Sequence, residues 1–282
     1  MNTNTLSNKC LGNVERMKTV YFDSAATTAI DAEVREAMID AIDSYGNPSS
    51  THNIGRKSKI IIERVRKSIA AELNCLPGEL FFTSGGTEAD NMAIQCAVRD
   101  LGVTRIITSA IEHHAVGHTA EFLRDHNHVE LIFLEVNEFG EVDLAQLEEL
   151  LKEDKPTLVS LMHANNELGN ILDIQKVGEM CRANGAWFHS DTVQTVGHQK
   201  IDLEKLPVDF IACAAHKIHG PKGSGFLYVR SSVKIHSMIM GGGQERSMRA
   251  GTENIVGIAG LGKAVELAYK NLEEDRAYIL GL

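Results

Sequence analysis

No uninterrupted apolar run in this 282-residue chain approaches the roughly 20 residues that a helix needs to cross a bilayer. The first residues hold neither a hydrophobic signal core nor a small-residue cleavage motif, so export is not expected. Cysteine is sparse and unpatterned: Cys10, Cys75, Cys96, Cys181 and Cys213 are odd in number and show no CxxC spacing. That spacing offers no disulfide framework and no zinc site, and it fits free buried thiols in a reducing cytoplasm. Cations are also short, 28 Lys and Arg against 38 Asp and Glu. Binding a nucleic acid requires clustered cations that displace counterions, so a direct nucleic-acid role is not expected. No GxGxxG follows the first strand-like run, which disfavours a nicotinamide enzyme. Internal repeats and low-complexity tracts are absent as well.

What is present is an apolar content of 43%, enough for one large domain with a substantial core. Residues 1–16 are polar and aperiodic, and are expected to be a disordered or non-native extension, with Met17 as the natural start. Apolar spacing predicts helices around Val34 to Ile42, with Asp31 at the start, and over 54–73, with Ile61, Val65 and Ile69 on one face. Strand-like runs at 80–83, 105–108, 129–134, 158–162, 186–189, 208–213 and 225–229 then alternate with helical segments. This alternation predicts an α/β fold with a mostly parallel sheet covered by helices on both faces. A long helix is expected over 254–282.

In such sheets ligands bind beyond the carboxyl ends of the strands, so the residues that follow each run matter most. After the first run, Thr83-Ser84-Gly85-Gly86-Thr87-Glu88 reads either as a phosphate cradle at a helix N-terminus or as an ordinary Gly-rich turn. After the second, His113 in Glu112-His113-His114 could stack on a flat ring or move a proton, or simply sit on the surface. Asn165-Asn166-Glu167-Leu168-Gly169 could orient a polar ligand or form a plain turn. Asp191, ending an apolar strand, could pair with a protonated ring nitrogen or cap a helix. Lys217, just past the sixth run, would be desolvated and nucleophilic, although a lone Lys is usually a solvated surface charge. Together these are the contacts that pyridoxal 5'-phosphate requires, with Lys217 as its covalent anchor. No metal site is indicated.

The motifs Asp23-Ser24-Ala25-Ala26-Thr27-Thr28, Gly46-Asn47-Pro48-Ser49-Ser50, Thr83 to Glu88 and Asn165 to Gly169 resemble those of the NifS/IscS-type cysteine desulfurases. So do His216-Lys217-Ile218-His219-Gly220-Pro221-Lys222-Gly223 and Gly241-Gly242-Gly243-Gln244-Glu245-Arg246, followed by Arg249-Ala250-Gly251-Thr252. The resemblance implies the large domain of a fold type I, class V pyridoxal phosphate enzyme, here over residues 17–262, acting as a homodimer on L-cysteine. It also implies residue roles. Lys217 forms the Schiff base, His113 stacks on the ring and assists proton transfer, and Asp191 pairs with the ring nitrogen. Gln194 contacts the phenolate oxygen, with Asn166 close to it and to the substrate. Gly86, Thr87 and His216 hold the phosphate, and Thr252 reaches the phosphate of the neighbouring subunit. The sulfur would pass to an acceptor protein, such as an iron–sulfur scaffold or a tRNA-thiolation protein.

Two departures from the family pattern stand out. The family has Ser where this chain has Ala214. Its small C-terminal domain, with the persulfide-forming cysteine in a Ser-rich loop and an arginine for the substrate carboxylate, has no counterpart here. Residues 263–282 are expected to begin the helix that leads into it. Other readings are another class V enzyme, an aminotransferase or a selenocysteine lyase, or a non-catalytic subunit that binds the cofactor.

Overall fold

The computed structural model describes residues 20–282. The expectations for residues 1–16 and for Met17 lie outside this range. Two helices come first, α1 (Ala32–Ile42), capped by the Asp31 carboxylate, and α2 (Asn53–Glu72), capped by His52. The alternating part follows: β1 (Leu80–Thr83), α3 (Gly86–Asp100), β2 (Arg105–Ser109), α4 (His114–Asn127), β3 (Glu130–Leu134), α5 (Leu144–Leu151), β4 (Thr157–Ser160), α6 (Ile174–Ala183) and β5 (Trp187–Asp191). The chain closes with β6 (Phe210–Ala214), β7 (Gly225–Val229) and the long α7 (Ile255–Leu280), capped by Asn254. The expected domain boundary at residue 262 falls inside α7, where Ile258, Leu261 and Val265 join one core on both sides of it.

All seven strands form one sheet in the order β1-β7-β6-β5-β4-β2-β3. Strands β2 to β6 pair in parallel, as expected, whereas β7 runs antiparallel to both β6 and β1. The reason lies in the connection. Residues 215–224 contain only a 3-10 turn, Ala215–Lys217, and no helix that could carry a parallel crossover.

Strand residues alternate between two cores, as the pleat dictates. Phe82, Ile107, Val159, Phe188, Ile211 and Phe226 pack with α2, α5, α6 and α7 on one face. Phe81, Ile106, Leu158, Phe210, Ala212 and Leu227 pack with α3 and α4 on the other. Burial on both faces explains why the strands read as continuous apolar runs. The buried face of α2 is rotated from the expected Ile61 stripe onto Ile62, Arg66 and Ile69. Arg66 can be buried there because Glu245 meets it at 2.8 Å through both guanidinium amines. No helix among the described residues is long and apolar enough to cross a membrane.

Candidate active site

The carboxyl ends of the parallel strands open onto a cavity of about 380 Å³. Eight of the nine expected site residues line it: Gly86, Thr87, His113, Asn166, Asp191, Gln194, His216 and Lys217. Thr252 does not. It is exposed on the loop before α7.

Each lining residue owes its position to the end of an element. Gly86 opens α3, whose first N–H groups have no intrahelical acceptor. A Cβ on Gly86 would come within 2.6 Å of Val193 Cγ2, so glycine lets the helix end approach the β5 turn. Glu88, in the first turn, accepts from the Ser84 N–H and pairs with Arg249 at 2.8 Å. Despite partial burial, those bonds hold its carboxyl below the usual range. His113 caps α4, and its Nδ1 accepts the Ala115 N–H at 3.1 Å, which leaves the ring proton on Nε2. Capping and cavity lining are thus combined in one side chain.

The two asparagines of the pair are placed differently. Buried Asn165 forms the turn, accepting from the Glu167 and Leu168 N–H groups at 2.8 Å. Asn166 faces the cavity and donates to Glu167 Oε1.

Asp191 ends β5 and accepts the Val193 N–H at 2.9 Å. It caps a tight turn rather than a helix, since no helix follows β5 before β6. Burial raises its pKa to about 7, and the Val193 bond opposes that rise. Lys217 stands in the 3-10 turn after β6, and partial burial lowers its pKa, against the pull of Asp191 and Asp23. Its amine donates to the carbonyls of Ala25 and, at 3.0 Å, Ala26. His216 Nδ1 lies 3.2 Å from Thr27 Oγ1, and burial followed by the charges of Lys217 and Lys222 lowers its pKa.

Some of the site was not anticipated. Asp90 lines the cavity from α3, and Ala25 and Ala26 close it from the N-terminal segment, where Ala25 O also accepts the Gln194 amide at 3.0 Å. An acid within a helix normally signals a solvated face. The only hint in the sequence was that Asp90 lies one turn before Ile94 and two before Ala97, on the buried side.

The donor set fits a flat cofactor with a carbonyl, a basic ring nitrogen and a phosphate. It offers a part-buried amine, a buried carboxylate and a helix N-terminus around one cavity. Ala214 sits beside the helix end, its Cβ 3.7 Å from where a Gly86 Cβ would stand, and adds no donor.

The comparisons with known proteins point the same way. The family model described as Aminotransferase class-V matches residues 20–279. The chain is 46% identical over 269 residues to a cysteine desulfurase IscS of Methanosarcina thermophila, covering 94% of this chain and 66% of that protein. Among solved structures it resembles a NifS-like protein, with a TM-score of 0.87, 40% identity, and 90% of this chain and 71% of that one covered. It also resembles SspA in complex with cysteine, with a TM-score of 0.84, 36% identity, and 88% and 72% covered. The chain therefore spans about two thirds of the length of such curated relatives. By its fold, its strand-end cavity and this match over nearly all the described residues, the chain belongs to the class V aminotransferase family.

Proposed function

We propose that the cavity binds pyridoxal 5'-phosphate on Lys217, and that the chain provides the cofactor-binding part of a cysteine desulfurase. In that reaction L-cysteine becomes L-alanine and its sulfur passes to a thiol. The observation that carries the reading is convergence: a part-buried amine, a buried carboxylate, a helix-capping imidazole and a helix N-terminus surround one small cavity. The relatives named as cysteine desulfurases, and SspA with its bound cysteine, support the choice of substrate.

When bound, the cofactor supplies an electron-poor ring that stabilises negative charge developing at the substrate. The rest is done by this chain's residues. The Lys217 amine, whose pKa partial burial lowers, would be the nucleophile that anchors the carbonyl carbon. Asp191 holds a proton on the ring nitrogen, and the charge pair offsets the cost of burying the carboxylate. His113 would stack on the ring and can receive or return a proton at its imidazole. The N–H groups of Gly86 and Thr87, with His216, take the phosphate. Gln194 and Asn166 hold the polar edge of the ring and substrate. Thr252 of a second copy would complete the phosphate site, making the working form a homodimer. Residues 17–262 then constitute the cofactor domain, with 263–282 leading towards a C-terminal domain.

The sulfur-accepting thiol is not among the described cysteines. Cys75, Cys96, Cys181 and Cys213 all lie outside the cavity lining, and burial pushes every one of these thiols up, Cys75 to about 12 and Cys96 to about 11. A thiolate nucleophile needs the opposite environment. Transfer onward to an iron–sulfur scaffold or a tRNA-thiolation protein, in the cytoplasm, completes the proposal.

The test is a visible absorption titration with pyridoxal 5'-phosphate. The native chain should show the long-wavelength band of a lysine-bound cofactor, and Lys217→Ala should lack it. A band of equal strength in Lys217→Ala would refute the anchor. The loaded chain alone should also release little sulfide from L-cysteine.

A further inference from the structure

The floor of the cavity holds more acid than one ring nitrogen can offset. His189 and Asp191 are two residues apart on β5, so both side chains point to the face covered by α3. Asp90 meets them there from α3, 1% exposed, on the lining of the same cavity. Its Oδ1 lies 3.3 Å from His189 Nε2, and both are buried atoms that make no hydrogen bond as the side chains stand. His189 is 0% exposed, and its Nδ1 lies 2.8 Å from Ser160 Oγ on the neighbouring β4. Among the described residues no Lys or Arg is within ion-pair distance of Asp90. The other ionisable groups around this floor are Glu112, His113, Cys213 and Lys217, each of which senses Asp191.

Two ionised carboxylates cannot share a dry floor without a cation, because each adds to the other's desolvation cost. One of them must stay protonated. Asp90 is the more enclosed, and its only polar neighbour is a ring nitrogen with a lone pair to offer. Burial also pushes the Asp90 carboxyl well above the usual range and His189 down to about 4, so the proton stays on the acid.

We propose that Asp90 is a positioning residue that works as a neutral acid, its proton directed at His189 Nε2, so that Asp191 is the single charge on the pocket floor. The inference rests on Asp191 being the partner of the cofactor's ring nitrogen. The proton on Asp90 fixes the tautomer of His189, whose Nδ1–H then donates to Ser160 Oγ. One carboxylate is left to face one ring N–H⁺. Were Asp90 ionised, a second buried charge would remain without a partner beneath the ring.

The test follows carboxyl carbon resonances in aspartate-labelled full-length chain, free of cofactor, from pH 5 to 9. Asp90→Asn and Asp191→Asn assign the two signals. The Asp90 resonance should keep its protonated position across the range, while that of Asp191 titrates near neutrality. In Asp90→Asn the Asp191 midpoint should move by less than about 0.3 unit, because a neutral amide replaces a neutral acid. Asp90→Leu removes the donor and should shift the His189 ring nitrogen signals, with Asp90→Asn restoring them.

An Asp90 resonance already in its ionised position at pH 5 would overturn the proposal. So would a fall of about 1 unit or more in the Asp191 midpoint in Asp90→Asn, the mark of a like charge removed. If Asp90→Leu fails to fold, the native and Asn titrations decide. Cofactor titration of Asp191→Asn tests the underlying reading separately. Affinity equal to the native chain would refute the ring-nitrogen pairing, and with it the role given to Asp90, whatever the resonances show.

Discussion

A methyl group stands where the proposed phosphate would meet the end of β6. Ala214 is buried at the end of β6, beside the first turn of α3, and cannot donate a hydrogen bond. Ala214→Ser adds a hydroxyl there, and one bond to a charged oxygen contributes at least about 1.5 kcal/mol. The expected result is cofactor affinity about tenfold tighter, read by equilibrium titration of the visible band. Unchanged affinity would show that the added hydroxyl finds no anion. Asp191 makes a second prediction at this scale. Its pKa of about 7 in the folded chain exceeds the ordinary unfolded value of about 3.9. Stability from this group is therefore complete below about pH 4 and is lost as pH rises through 7. Glu112, raised to about 8, acts in the same sense, while His163 and His189, both lowered to about 4, act against it. The difference between Asp191→Asn and the native chain isolates the aspartate. In cofactor-free protein, denaturant melts should show the variant gaining on the native chain from pH 4 to 7. A gap that stays constant with pH would refute the shift.

Between elements, the most consequential contact is one the sequence did not announce. Arg66 of α2 is buried against Glu245, donates to Leu80 O, and lies 4.5 Å over the Phe82 ring. Glu245 Oε2 also accepts the Phe82 N–H, so one ion pair ties α2, β1 and the 241–252 loop together. The loop needs such an anchor, because Glu245, Arg246 and Ser247 all have positive φ, a strained backbone for residues with side chains. Glu245→Ala leaves the buried Arg66 with only the more exposed Glu63, at 3.3 Å from its Nε, as an acidic partner, and should cost about 3 kcal/mol in chemical denaturation. A loss under about 1 kcal/mol would mean that water reaches Arg66. Element types were legible in the sequence because short continuous apolar runs marked the strands and helical spacing marked the segments between them: all seven strands and the helices between them lie close to where those patterns put them. The reversal of β7 was less visible, yet the absence of a helical pattern in 215–224 was the physical clue. The site was legible for the same reason, since strand ends are marked by abrupt changes from apolar to polar residues. Asp90 and the Arg66–Glu245 pair escaped because their meaning depends on which helix face meets the sheet, and that is set by packing across long sequence separations.

At the scale of the whole molecule, the turn that carries Lys217 is held by residues some 190 positions earlier in the chain. Thr28 Oγ1 donates to His216 O at 2.9 Å and accepts the His219 N–H at 2.8 Å, spanning 188 and 191 residues. His219 O accepts from the Asp31 N–H at 3.0 Å, and its Nδ1 meets Ala29 O at 3.0 Å. His219 itself has φ of 61°, a left-handed conformation that a non-glycine residue keeps only when its surroundings impose it. The N-terminal segment therefore does two things at once. It closes the cavity over Lys217, and it holds the strained turn that aims the amine. Thr28→Val keeps the shape of the side chain but leaves the part-buried His219 N–H without its acceptor, at about 1–3 kcal/mol, while His216 O keeps the Thr28 N–H. Hydrogen exchange should then quicken together in residues 23–31 and 215–219, and cofactor affinity should fall, because the amine is no longer pre-aimed. Thr28→Ser retains the hydroxyl and should restore both. If Thr28→Val lowered global stability but left cofactor affinity at the native level, the turn would owe its shape to β6 and β7 alone, and the N-terminal segment would be only a cover.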